Sequence, residues 1–111
     1  MHASSCASTL QDQVRVGDVW LGSFLNAVFA TRQYRGGTTA VFVTWDESSH
    51  GDPASQRIPT LVIAPSVRPG SAPSKRFDHY ALLRTTEELL GLHSFLEAAA
   101  SAPSMRTAFH F

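Results

Sequence analysis

The chain predicts an α/β fold on three observations. Thr38–Trp45, TTAVFVTW, is a β-branched and aromatic run of the kind that suits a pleated, buried strand. Thr60–Ala64, TLVIA, is continuously apolar between Pro59 and Pro65, the pattern of a strand covered on both faces. Ahead of both, Trp20, Leu21, Phe24, Leu25, Val28 and Phe29 recur at spacings of one, three and four, which lines one face of a helix. Helix followed by strand is half of the βαβ unit expected in an α/β sheet.

Each element follows from its own residues. Residues 1–16 are polar and Ser-rich and are expected to be irregular. Asp18 suits an N-cap, because its carboxylate can accept from first-turn N–H groups, and the helix it opens is expected over 18–32. Gly36-Gly37 stops that element and leads into a strand at 39–45. Residues 46–59 lack apolar periodicity and form a loop carrying His50, Asp52 and Arg57, before the second strand at 60–64. Both strands have the composition of interior strands. The link between them is about the minimum length for a parallel crossover and has no helical pattern, so strand order stays open. PSVRPGSAPSKRF is an extended surface loop. Asp78 caps a second helix through Tyr80, Leu83 and Leu90, with Gly91 in the stop position. Residues 95–100 form a short further helix, and 103–111 are an irregular tail.

Composition narrows the function classes. The chain has 111 residues, 43% hydrophobic and 16% charged, with nine basic and nine acidic side chains. That balance makes no electrostatic case for nucleic acid or an anionic membrane. The basic run Arg68–Arg76 lacks the interleaved aromatics that stack bases. No stretch approaches the roughly 20 apolar residues of a membrane span. MHASSCASTLQDQ has no basic region followed by an apolar core, so it does not read as a secretory signal. Cys6 is the single cysteine, which excludes an internal disulfide and a Cys-based zinc site. Acyl-transfer and P-loop patterns are absent, and Gly36-Gly37 is not a phosphate loop.

Candidate chemistry concentrates where the first strand ends directly on Asp46 and Glu47. In α/β proteins, ligands and metals are held beyond the carboxyl ends of strands. Carboxylates are hard oxygen ligands suited to a divalent cation at a phosphoryl group. Consecutive strand residues face opposite ways, so both acids reach one ion only if the backbone turns there. Asp46 is therefore the stronger candidate. The competing explanation is a solvated turn, since Asp, Ser, Gly and Pro are ordinary turn residues. His50 lies close by in the loop and reads as solvated. Arg57 reads as a partner for a sheet-edge carboxylate, and Arg84, Glu87 and Glu88 as surface or helix-pair charges. His93 and His110 carry no argument.

Four pieces in order give these residues a context: T-W-D-E, then R-I-P-T-L-V-I-A-P, then P-G, then D-H-Y-A-L-L-R-T-T-E-E-L-L-G-L. Together with GDVWLGSFLNAVFATRQYRGGTTAVFVTW before them, they resemble the carboxy-terminal part of the phosphoesterase family that contains bacterial phospholipase C enzymes and certain acid phosphatases. The resemblance extends to His2 and Cys6, which match a His and a Cys ahead of the family's helix, and so covers nearly the whole chain. It implies a partial alkaline-phosphatase-like sheet with flanking helices, a fragment of a larger domain, with residues 1–111 as one partial domain. It implies a divalent metal ion of unknown identity, with Asp46 and Glu47 as metal ligands, His79 as a catalytic group at the phosphoryl, and His2 as a weaker phosphate or site contact, because a chain terminus holds a ligand poorly. Against that role of His79 stands a hydrogen-bonded structural one beside the helix cap. Relatives often carry a second cysteine upstream, which would allow a paired Cys6 in a longer protein, and the competing explanation is a buried or unreactive thiol. The implied substrate is a phosphate ester, either a phosphomonoester or a phospholipid headgroup. The implied location is secreted or periplasmic where a longer protein carries a signal.

The family's early Glu-Asn metal motif and its hydroxyl nucleophile have no counterpart in this sequence. Two functions follow as expectations: the C-terminal portion of a metal-dependent phosphoesterase, incomplete for catalysis by itself, or a non-catalytic remnant or association module. Interior strands without neighbours further predict poor solubility or oligomerisation of the chain expressed alone.

Overall fold

In the computed structural model, which describes residues 9–47 and 57–111, Thr9 rather than Asp18 opens the first helix. Helix α1 spans Leu10–Ala30, so most of the segment expected to be irregular is helical where it is described. The signal was Thr-x-x-Asp. The Thr9 hydroxyl oxygen accepts from the Asp12 N–H at 3.1 Å, and the hydroxyl donates to the Asp12 carboxylate at 2.8 Å. That pairing resembles a capping box and satisfies a first-turn donor. Asp18 lies within the helix, exposed. Thr31 ends α1 and starts α2 (Arg32–Arg35): its backbone is extended, its hydroxyl donates to the Val28 carbonyl at 2.7 Å, and its oxygen accepts from the Tyr34 N–H at 3.2 Å. Gly36 caps α2 and Gly37 takes φ +77°, the left-handed turn that favours glycine.

Contacts divide the chain into two compact units, residues 1–40 and residues 41–111. The second holds the sheet, strands β1 (Val41–Thr44) and β2 (Thr60–Ile63). They pair antiparallel, with Val41 opposite Ile63 and Thr44 opposite Thr60. The fold class is mixed α/β, a small sheet accompanied by helices. Two details differ from expectation. Among the described residues the strands are the two members of a two-stranded sheet, not interior strands, and Thr60 and Leu61 of β2 are exposed. A continuous apolar run reports affinity for a covering layer, not its presence. The antiparallel ladder also needs no crossover helix, in keeping with a link that showed no helical pattern. The Thr44 and Thr60 hydroxyls sit 2.9 Å apart across the strands and close the β1 end of the ladder.

Helix α3 (His79–Leu89) matches its expected ends. Asp78 accepts from the Ala81 N–H at 2.8 Å. At the other end Gly91 has φ +76°, its N–H donates to the Glu88 carbonyl, and the Leu92 N–H donates to the Glu87 carbonyl, the two bonds of a Schellman motif. The charges along α3 behave differently from the expected surface set. Arg84 and Glu88 do form an i,i+4 pair at 2.6 Å, but both side chains are largely covered, at 23% and 17% exposure. Arg84 also donates to the Ala100 carbonyl at 3.0 Å and stacks 3.6 Å over the Phe95 ring. Ser104 donates to the second Glu88 oxygen at 2.6 Å. Buried Thr85 accepts from the Met105 N–H at 2.8 Å, and one oxygen of buried Glu87 accepts from the Leu96 N–H.

These bonds hold a 3₁₀ helix (Glu97–Ala100) and the approach to α4 (Arg106–Phe109) against α3. Helical spacing revealed the Arg84–Glu88 pair, but the segment that folds over it lies too far along the chain for periodicity to reach. Among the described residues the apolar core is small, comprising Ala64, Ala81, Ala99 and Met105. Aromatics extend it: Phe111 meets Phe42 of β1 edge-on at 5.8 Å, and Phe109 lies 6.3 Å from Phe77 and 6.4 Å from Phe111. The tail expected to be irregular thus carries α4 and packs against the sheet.

Candidate functional site

Strand β1 and helix α3 converge on one point. Beyond Thr44 the chain leaves the ladder and bends at Asp46, so the alternation that would send Asp46 and Glu47 to opposite faces no longer applies. The Asp46 carboxylate accepts from the Glu47 N–H at 3.1 Å through Oδ1. From the other direction Asp78 ends the long surface loop and starts α3, which places His79 in the first turn. His79 Nε2 lies 2.9 Å from the Asp46 carbonyl oxygen, a contact between residues 33 apart in sequence. A carbonyl can only accept, so Nε2 is the donor and carries the proton.

Asp46, Glu47 and His79 are all exposed. Two of the residues singled out from sequence, Asp46 and His79, are therefore brought together, but through a backbone carbonyl and a ring rather than through two side chains. The Glu47 carboxylate makes no hydrogen bond or ion pair among the described residues, and neither does Asp46 Oδ2. His2, Cys6 and His50 lie outside the described residues. Arg57 forms no ion pair among the described residues.

For a metal, the donors at this point are carboxylate oxygens. Among the described residues no group of three or more His, Cys, Asp or Glu side chains is placed to hold an ion. Two exposed carboxylates suit a hard cation that keeps water and takes phosphoryl oxygens in its other positions, the usual manner of Mg²⁺. Carboxylate donors match the chemistry of such an ion, and the described residues form no all-protein cage.

A second polar cluster surrounds Glu88, where Ser104, Arg106, Thr107, His110 and Phe111 line an open depression. Sequence reasoning had not gathered these residues, because they come from α3 and from a tail without periodicity. The Ser104 hydroxyl, then the Arg84 guanidinium, hold the Glu88 carboxyl below the ordinary carboxylate value. A carboxylate so stabilised is a weak base, and the Ser104 oxygen also accepts from the Arg106 N–H at 3.2 Å. The cluster is a structural tie.

The family model of the Phosphoesterase family matches residues 10–93, well over half of the chain and inclusive of Asp46, Glu47 and His79. No curated protein and no solved structure matches. The chain belongs to the Phosphoesterase family and carries a phosphoester-hydrolase-like domain.

Proposed function

We propose that this member of the Phosphoesterase family contributes the Asp46–Glu47 bend to the metal-dependent hydrolysis of phosphoric esters, phosphomonoesters or phospholipid headgroups, and is incomplete for catalysis by itself because no hydroxyl nucleophile of the family is matched in it. Asp46 and Glu47 would hold a divalent cation, and His79 belongs to the same site. The observation that carries the reading is the contact between the Asp46 carbonyl and His79 Nε2, which joins two of the four sequence pieces that carry the family resemblance. Hydrolysis exchanges the ester P–O bond for a bond from phosphorus to a water oxygen and releases the alcohol. A bound cation would supply neutralisation of the phosphoryl oxygens as charge builds on them. The chain's own part is to place two carboxylates at a bend fixed by the Thr44–Thr60 pair on one side and by α3 on the other.

A non-catalytic role in association with another polypeptide is the second reading, supported by α1, which buries no residue and leaves Trp20 and Phe24 exposed. One experiment separates the two. Mn²⁺ titration by calorimetry should give binding that Asp46→Asn weakens at least about ten-fold and Glu47→Gln weakens less. A wild-type chain that binds no Mn²⁺ yet sediments as a stable oligomer would replace the hydrolytic reading with association.

A further inference from the structure

We infer that His79 is a positioning residue: its Nε2–H grips the Asp46 peptide carbonyl and thereby sets the direction of the Asp46 carboxylate. The inference rests on the cation-binding reading of Asp46 and Glu47, and it assigns His79 a role distinct from direct contact with the phosphoryl group. Three observations carry it. The ring reaches a carbonyl at 2.9 Å, an acceptor that requires Nε2 to donate. Asp46 is held a second time, by the Glu47 N–H on Oδ1, so both its peptide oxygen and one carboxylate oxygen are fixed. The remaining oxygen, Oδ2, has no partner among the described residues and is the atom left for a cation.

The latch has a physical purpose. Asp46 lies past the last ladder residue, Thr44, where no strand hydrogen bond restrains its backbone. An exposed bend of that kind samples many directions, and binding an ion there would require ordering it first. His79 is anchored at the first turn of a capped helix, so its ring supplies the order that the ladder does not. The ring thus orders a metal-binding residue without itself touching the ion. Removing such donors typically weakens metal binding by about 10- to 100-fold.

The experiment compares His79→Gln with His79→Ala in the full chain, with Mn²⁺ alone as the probe. A Gln amide N–H reaches about as far as Nε2 and can donate to the same carbonyl, but it offers no imidazole lone pair. Two quantities are read: Mn²⁺ affinity by calorimetry, and the backbone carbonyl ¹³C resonance of Asp46 by NMR without metal. The latch predicts that His79→Ala moves the Asp46 resonance and lowers affinity at least about ten-fold, while His79→Gln leaves both close to wild type. Equal losses of affinity in the two variants would overturn it, because the imidazole itself would then be required at the ion or substrate. An unchanged Asp46 resonance in His79→Ala would overturn it as well. If the wild-type chain takes up no Mn²⁺, the cation site is refuted, whereas the latch is refuted by an Asp46 resonance that ignores loss of the ring.

Discussion

Helices α1 and α3 obey the same local rules and reach opposite ends. Helix α1 is 21 residues long, capped by Thr9 and rich in apolar side chains, yet none of its residues is buried. Trp20 and Phe24 stack on each other at 5.4 Å and remain 56% and 45% exposed. Helix α3 is 11 residues long and more polar, yet it buries Ala81, Thr85 and Glu87. The difference lies in what folds back. Residues 95–106 return across α3 and meet it with hydrogen bonds from Leu96 and Met105 N–H and from Ser104, and with the carbonyl of Ala100. On α3, burial follows the arrival of that second segment, and apolar content only states what such an arrival gains.

The sharpest way to test this contrast is to remove the centre of the α3 ties. Arg84→Ala takes away the Glu88 pair, the Ala100 bond and the Phe95 stack together. A partly covered pair of this kind should cost about 2–3 kcal/mol, below the figure for a fully buried one, because its side chains keep some solvent screening. Urea unfolding followed by circular dichroism measures it, and a cost under about 0.5 kcal/mol would reduce the network to decoration.

A smaller effect should appear in acid. Glu88 has a folded-state pKa depressed by Ser104 and then by Arg84, so its contribution is fully present above the ordinary carboxylate value near about 4.3 and fades as pH falls through the lower folded value. The wild-type chain should therefore lose more stability than Glu88→Gln between about pH 5 and pH 3. Parallel slopes for the two chains across that window would mean that the Ser104 and Arg84 contacts do not discriminate between charge states.

The least change is expected on α1. Trp20→Gln should alter the stability of the isolated chain by about 0.5 kcal/mol or less, the worth of an i,i+4 surface contact. A loss several times larger would show that α1 is covered in solution and would erase the contrast with α3.

What the amino-acid order determined by itself is local. Asp78 and Gly91 bracket α3, Gly36-Gly37 closes α2, and the two β-branched runs became β1 and β2, because capping, left-handed φ and strand preference act within a few residues. The start of α1 is encoded in the chain as Thr-x-x-Asp, nine residues ahead of Asp18 and remote from the apolar stripe that marks the helix. The motifs at the site were legible too, as acids at a strand end and a His after a cap. Tertiary structure alone decided that the strands run antiparallel, that Glu87 and Glu88 are covered, and that His79 meets the carbonyl of Asp46 rather than its carboxylate. Those contacts join residues up to 33 positions apart, and no local preference encodes them. They form when the entropy lost in closing the intervening chain is outweighed by everything that packs at once.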